Sequence, residues 1–457
     1  MAVELDLQRI QNLIKEESEK LNNRTQRSKE MYERARHHLC NGVGSTYQAR
    51  DPWPIYIAEG SGPHIVDVDG NKYYDFHNGY GSMIQGHGHP MVMDALKERY
   101  PKGSHFGCAT EEDVIVAEEL SRRWGLPKWR FTNSGSESTM DAIRIARAYT
   151  GRDTIVKIFG SYHGHHDGVM VSIGVPYDKI GDRFTLKSLP YGGGIPQSIV
   201  DMTYSVHFND AEAMERRIIE LDKEGKKPAC VIMEAAMMNL GVVLPEDGYL
   251  RQVRDICTRH NVVLIFDEVK TGMCIAAGGA TEYFGVTPDL VTLAKALGAG
   301  LPSGAIGGTE EVMSVVEDGT VYQVGTFSGN PLSMAAAAVS LTEILTPKAY
   351  SHLDHLNDRI VKGCQAVIDK YDLPGYALGI QSKGCVTFSD TKITDYATYI
   401  ANQQDALCDA AWVWNMNRGI FMTPGREEEW TLSVTHTDEA IDAYIAAFDS
   451  LAAELTR

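Results

Sequence analysis

The chain has no run approaching the roughly 18 apolar residues of a membrane span, which argues against a transmembrane segment. It has no block of lysine and arginine, and 43 basic residues face 61 acidic ones for a net charge of −18. Neutralising phosphates needs a basic footprint, so nucleic acid is not an expected partner. The N-terminal stretch MAVELDLQRIQNLIKEESEK has no apolar signal core and is too acidic for a transit peptide, so a cytoplasmic location is expected. Eight cysteines are scattered (Cys40, Cys108, Cys230, Cys257, Cys274, Cys364, Cys385 and Cys408), with no CxxC pair. That pattern points to reduced thiols rather than disulfides or a cysteine zinc site. Internal repeats, low-complexity tracts and long linkers are also missing.

What is present is a large core. With 457 residues, 43% of them apolar, the chain suggests two or three units at roughly 150 residues each. In residues 5–40, Leu7, Ile10, Leu13, Ile14 and Leu21 recur at helical spacing among charges. This predicts an N-terminal helix docked on the body or on another subunit. IYIAEGSGPHIVDVDGNKYYDF (55–76) reads as short strands, with a hairpin signal at DGN. From 77 to 335, apolar strands alternate with helices: WRFTN (129–133), TIVKIFG (154–160), CVIMEA (230–235), NVVLIFDE (261–268) and DLVTLAK (289–295). Helices are expected at 136–149 and 246–260. Nearly all-apolar strands alternating with helices imply an α/β fold with a mostly parallel sheet. The tail, with GCVTFSD (384–390) and WTLSVT (430–435), reads as a smaller α+β unit. The expected division is therefore 1–76 (helix and strands packing with the small unit), 77–335 (large α/β domain) and 336–457 (small α+β domain).

In such a sheet, ligands sit beyond the carboxyl ends of the strands. Ser134-Gly135-Ser136 follow the first of them, in TNSGSES (132–138). A helix opening there offers free N–H groups to an anion; the competing reading is a plain N-cap with Ser136 as the capping residue. Asp267 ends an apolar run, where a carboxylate needs a partner: a cationic ring nitrogen, a metal or an arginine. Lys295 ends DLVTLAK and is either a desolvated nucleophile or a lysine that reaches water. Anion loop, acid and amine together suit a phosphorylated pyridine aldehyde, which needs all three. Tyr162 in SYHGHHD (161–167) supplies an aromatic face beside the ring.

These residues lie in FTNSGSESTMDAIRIARAYTGRD, GSYHGHHD, LIFDEVKTG, EYFGVTPDLVTLAKALGAGLPSGAIGG and VYQVGTFSGNP, in order over about 130–332. Through them the chain resembles the class III (ω-) aminotransferases of pyridoxal phosphate (PLP) fold type I, and most of all their glutamate-1-semialdehyde aminomutase branch. DVDGNKYYDF, GSMIQGHGHP and VTHT extend the likeness to most of the chain. The resemblance implies pyridoxal 5′-phosphate as cofactor, held as a Schiff base on Lys295, with pyridoxamine 5′-phosphate as its aminated form. Lys295 would also shuttle the proton, and Asp267 would keep the ring nitrogen protonated. Gly135 and Ser136, with Ser134 nearby, would hold the phosphate; Tyr162 would stack on the ring, and His163 belongs to the same pocket segment. Thr326 of GTFSGNP would reach the phosphate of a neighbouring subunit, implying a homodimer with its active site at the interface. Glu234 and Asn239 of EAAMMNLG would line the cofactor side, although Ala235 stands where the family usually has proline.

Other chemistries fit less well. His163, His165, His166 and Asp167 invite a metal hydrolase reading, but their spacing matches no zinc pattern and HExxH is missing, so no metal is expected. A nicotinamide enzyme needs GxGxxG at the first strand-to-helix turn, which TNSGSES does not supply. A non-catalytic relative would be marked by loss of the lysine or the aspartate, and both are present. Departures from the aminomutase pattern fall on the substrate side. Gln48 stands where an arginine typically faces the substrate carboxylate, with Arg50 two residues on; Tyr80 stands where the branch usually has tryptophan; GREE (425–428) replaces SQFE, keeping Glu428 and adding Arg426. Those changes favour an aminotransferase working between an amino acid or amine and a small carbonyl acceptor, by a ping-pong scheme. The aminomutase is the alternative.

Overall fold

In the computed structural model, residues 5–423, 425 and 429–457 are described. The expected N-terminal helix is two helices, Leu7–Asn23 and Gln26–Ala35. The break lies at Thr25, whose buried hydroxyl donates to the Leu21 carbonyl (2.8 Å) and accepts from the Trp53 indole N–H (3.1 Å). Asp6 caps the first helix by accepting from the Gln8 and Arg9 amides. Its apolar face, Ile10, Leu13 and Leu21, packs on the body against helix Asp405–Asn417. The buried Glu17 carboxylate anchors it there, accepting from Asn417 Nδ2 (2.7 Å) and pairing with Arg418 (3.1 Å).

Strands Ile57–Ser61, His64–Asp67 and Lys72–Asp75 form an antiparallel meander. Ile420–Phe421 adds to it in parallel, so the two ends of the chain share one sheet. The expected hairpin turn is there: Gly70 takes φ +87°, and the Asp67 carboxylate accepts from the Asp69 and Asn71 amides.

The central sheet has seven strands: β1 (Lys128–Thr132), β2 (Ile155–Ile158), β3 (Thr203–Val206), β4 (Cys230–Met233), β5 (Val263–Asp267), β6 (Leu290–Leu293) and β7 (Gly304–Gly308). Their spatial order is β1-β7-β6-β5-β4-β2-β3. Only β7 runs against the rest, pairing antiparallel with both β6 and β1. β2, β4, β5 and β6 are buried at every position, as strands covered on both faces must be. Beyond the sheet, strands Tyr376–Ile380, Lys383–Thr387 and Trp430–Thr431 form a small antiparallel sheet, and helices Pro347–Tyr371 and Asp438–Leu455 pack on each other. The expected strand 430–435 pairs only over Trp430–Thr431. After it the backbone turns to other partners: Leu432 N–H donates to the Ser382 carbonyl and Val434 N–H to the Ile84 carbonyl. No described helix is long and apolar enough to cross a membrane.

Candidate active site

The carboxyl ends of β1, β2, β4, β5 and β6 lie along one edge of the sheet, because these strands run in one direction. At the end of β5, alternation separates two neighbouring carboxylates. Glu268 is fully buried and structural: it accepts from Trp124 Nε1, from the Thr281 amide and hydroxyl, and from the Ala280 amide. Burial raises its pKa to about 7. Asp267 instead meets the loop after β2. Its Oδ2 lies 2.7 Å from His163 Nδ1, and its Oδ1 accepts from the Val269 amide (3.0 Å) and the Thr292 hydroxyl (3.2 Å). These are three contacts on a group with roughly four acceptor positions. A further donor, such as a protonated ring nitrogen, therefore finds a place on this carboxylate. His163 is held in turn by Ser161 Oγ at 2.8 Å.

Lys295 lies two residues beyond β6 with φ +48°, a left-handed conformation that costs a non-glycine residue about 1–2 kcal/mol. The residue is half-buried. Dense protein around the amine lowers its pKa to about 7: burial is the first cause, and the positive charges of Lys270 and Lys383 add to it against Glu429 and Asp267. An amine that is neutral near pH 7 can act as a nucleophile.

Helix Gly135–Thr150 opens straight after β1, and Ser134 is its cap, accepting from the Glu137 amide at 3.2 Å. The capping serine is thus Ser134, two residues before the expected Ser136, because Ser134 has extended backbone (φ −158°) and Ser136 already lies inside the helix. The Ser136 hydroxyl accepts from the His165 amide at 3.1 Å. Gly135 is a requirement of packing: a Cβ there would stand 3.0 Å from both Val269 methyls. The helix N-terminus is thereby drawn against the loop that follows Asp267. Tyr162 is half-buried on the same edge, its ring edge-on to Tyr47 at 6.0 Å. Glu234 and Asn239 brace the loop after β4: Glu234 accepts from Asn239 Nδ2 and from the Met238 amide, both at 3.0 Å. Burial, then the nearby Asp267 charge, raises the Glu234 pKa to about 7.

Of the other expected residues, Tyr80 reaches this group through Tyr47, whose ring lies between it and Tyr162, and the rest make other contacts. Thr326 is exposed and lines a separate cavity of about 680 Å³ with His105, Phe106, Trp129 and Phe131. Gln48 turns its side chain back on its own loop, accepting from the Gly44 and Ser45 amides. Arg50 donates to the Trp53 carbonyl and lies over the Trp412 ring at 4.9 Å, and burial lowers its pKa to about 10. Tyr80 donates to the Tyr47 carbonyl at 2.9 Å. Arg426 and Glu428 lie outside the described residues. Among the described residues, no three His, Cys, Asp or Glu converge to hold a metal; His166 turns to the Thr139 hydroxyl.

The sequence reading missed Thr292 and a buried cluster of Lys270, Lys383 and Glu429 beside Lys295. The one available signal was a threonine in register with Asp267 on the next strand; the two lysines stand in polar surroundings, FDEVKTG and IQSKGC, that do not mark them.

The donor set fits pyridoxal phosphate: a desolvated amine, a buried acid with acceptor capacity to spare, and a helix N-terminus packed beside the acid. Comparison with known proteins agrees. Residues 46–406 match the aminotransferase class-III family. Glutamate-1-semialdehyde 2,1-aminomutase of Methanocaldococcus jannaschii is 37% identical over 428 residues, covering 93% of this chain and 97% of the relative. The enzyme of that name from Methanothermobacter thermautotrophicus is 38% identical over 428 residues, covering 93% and 98%. An ω-transaminase structure from Sphaerobacter thermophilus superposes with TM-score 0.89 at 34% identity, covering 94% of this chain and 97% of the other. A glutamate-1-semialdehyde aminomutase from Pseudomonas aeruginosa, solved as a lysine-to-alanine variant in complex with pyridoxamine phosphate (PMP), superposes with TM-score 0.89 at 26% identity, covering 99% of both. The chain belongs to the class-III aminotransferases, a pyridoxal-phosphate-dependent family.

Proposed function

We propose that the chain moves an amino group between carbon atoms at Lys295, and that it does so within one substrate molecule, as a glutamate-1-semialdehyde 2,1-aminomutase. The observation that carries amino-group chemistry is the meeting of Asp267, Lys295 and the Gly135 helix N-terminus on one sheet edge. The aminomutase form draws support from the relatives at 37–38% identity over more than nine-tenths of the chain. This reverses the order expected from the sequence, where departures on the substrate side put the intermolecular aminotransferase first. One observation still favours that second reading: Gln48 has no guanidinium and its amide turns back on its own loop, while the Arg50 guanidinium is committed to the Trp53 carbonyl and the Trp412 ring, so neither is free for a substrate carboxylate. The ω-transaminase likeness is consistent with it.

Bound pyridoxal phosphate supplies an electron-withdrawing ring that stabilises negative charge on the substrate carbon. Asp267 holds the ring-nitrogen proton, and His163, Thr292 and the Val269 amide hold Asp267 in place. Lys295 would anchor the cofactor, and its amine would move the proton at the substrate carbon. The Gly135 and Ser136 amides and the Ser134 segment cradle the phosphate. Tyr162 covers the ring face, and Glu234 with Asn239 keeps the β4 loop against the site. Thr326 serves the phosphate of a partner subunit in a homodimer. In the same proposal, 77–335 carries the cofactor, and 1–76 packs with 336–457.

The deciding experiment supplies glutamate-1-semialdehyde alone to the PMP-loaded enzyme, beside a panel of amino donors given to the PLP-loaded enzyme. An aminomutase isomerises the semialdehyde with no second substrate. Stoichiometric keto product from a donor, with the semialdehyde untouched, refutes the intramolecular reading in favour of the aminotransferase.

A further inference from the structure

We infer that Lys270 and Lys383, clamped on the Glu429 carboxylate, are positioning residues whose surplus positive charge keeps the Lys295 amine unprotonated. The inference rests on Lys295 as the amine that anchors the cofactor. One oxygen, Glu429 Oε1, receives both ammonium groups, from Lys270 at 2.9 Å and Lys383 at 3.1 Å. Lys383 also donates to the Thr431 hydroxyl (2.8 Å) and Lys270 to the Met238 carbonyl (2.6 Å). The Lys383 side chain is 0% exposed. A Cβ on Gly81 would stand 2.5 Å from its Nζ, so the ammonium is packed directly against the Gly81 backbone.

Two buried cations on one anion leave a formal surplus of +1. A buried ion pair is costly and needs only one lysine; the second has no structural necessity. The Asn78–Gly81 turn, on which the Lys383 ammonium rests, packs against the Lys295–Gly298 turn. The clamp therefore adjoins Lys295, and both lysines push that amine toward the neutral form. The groups that face Lys295 come from four places: Asp267 at the end of β5, Lys270 in the loop beyond it, Lys383 opening strand Lys383–Thr387, and Glu429 before Trp430–Thr431. Burial works to raise the Glu429 carboxyl, but the two lysines outweigh it and hold Glu429 as a carboxylate. Two further buried groups nearby add no charge. Burial lowers the His77 pKa to about 4, leaving the imidazole neutral, and raises that of Cys274, leaving a thiol. Neither of them offsets the two lysines that share the Glu429 carboxylate.

The test uses the full chain freed of pyridoxal phosphate, pulsed with acetic anhydride at pH values from 5 to 10. Mass spectrometry of the Lys295 peptide follows acetylation, which only the neutral amine undergoes. In Lys383→Met and Lys270→Met the labelling midpoint rises by about one pH unit or more. In Glu429→Gln, which removes the counter-charge, it falls or holds. Opposite signs from the two kinds of variant are not produced by mere loosening. Circular dichroism establishes folding. If Lys383→Met does not fold, Lys270→Met carries the test, since its side chain is 11% exposed rather than 0%. Folded lysine variants whose midpoints stay within about 0.3 unit of the parent, or a rise in Glu429→Gln, overturn the inference. Failure of the cofactor reading shows separately, as a parent chain that gains no visible absorbance with pyridoxal phosphate.

Discussion

Asp267→Asn isolates charge from shape at the centre of the site. The asparagine is isosteric, and its oxygen, placed at Oδ1, still accepts from the Val269 amide and the Thr292 hydroxyl. Its amide nitrogen then falls at Oδ2, 2.7 Å from His163 Nδ1. Two donors cannot face each other there, so His163 must give up its Nδ1 proton and accept. Burial already lowers the His163 pKa, opposed by its bond to Asp267, so loss of the carboxylate leaves a neutral imidazole able to make that change. The fold should therefore survive, with an unchanged circular dichroism spectrum. What is lost is the charge-assisted bond to a protonated ring nitrogen. Hydrogen bonds of that kind are worth about 1.5–3 kcal/mol, so cofactor affinity should fall roughly 10- to 150-fold. Without a protonated ring the carbanion loses its electron sink, and the first half-reaction should slow by roughly 100-fold or more. Stopped-flow absorbance with excess amino substrate, on enzyme saturated with cofactor, measures that rate apart from binding. A saturated Asp267→Asn enzyme whose half-reaction stays within about threefold of the parent refutes the argument.

Other predictions follow from the same geometry. Lys295→Ala should abolish turnover and the visible absorbance of the covalently held cofactor; full turnover in the variant sinks the assignment. Gly135→Ala places a methyl 3.0 Å from both Val269 methyls, inside the 3.5–4.0 Å optimum. The helix should be pushed off at a cost of about 1–3 kcal/mol, seen as faster cofactor loss on dialysis and reversed by adding Val269→Ala; an unchanged loss rate is the contrary result. For pH dependence, the buried carboxyls of Glu234 and Glu268 are raised to about 7 from 4.5. The stability they add is fully present below pH 4.5 and fades as pH rises through about 7. Each contributes on the order of 3 kcal/mol, so Glu268→Gln should lessen the fall of the unfolding midpoint between pH 5 and 8, with Glu234 carrying what remains, and a parallel decline in both proteins contradicts this.

Much of the fold was legible because its signals are local. The five strands read as apolar runs are all in the sheet, with boundaries moved by one or two residues, since an all-apolar run marks a strand covered on both faces. β7 was not legible. Its sequence, GAIGG, has little side chain to mark it, and what makes it a strand is contact: a Cβ on Gly304, Gly307 or Gly308 would run into Thr132, Trp129 or Leu290. The N-terminal helix was read as one because no glycine or proline interrupts residues 5–40, while the break depends on Trp53, distant in sequence.

The site divides along the same line. Asp267, Lys295 and the Ser134–Ser136 turn stand out because each is a polar residue that interrupts an apolar strand or opens a helix. The partners that give them chemistry do not announce themselves. Thr292 matters only because parallel register sets it beside Asp267, and Lys383 and Glu429 come from the smaller sheet, whose pairing with the large one no local pattern encodes. A lysine in KTGMC or in QSKGC reads alone as a surface residue reaching for water. Its meaning appears when the fold closes both on one carboxylate, where their positive charges add to burial in pushing the Lys295 amine toward its neutral form. Local motifs thus mark the candidate groups at the strand ends, while only the closure between the two sheets brings their charged neighbours into place.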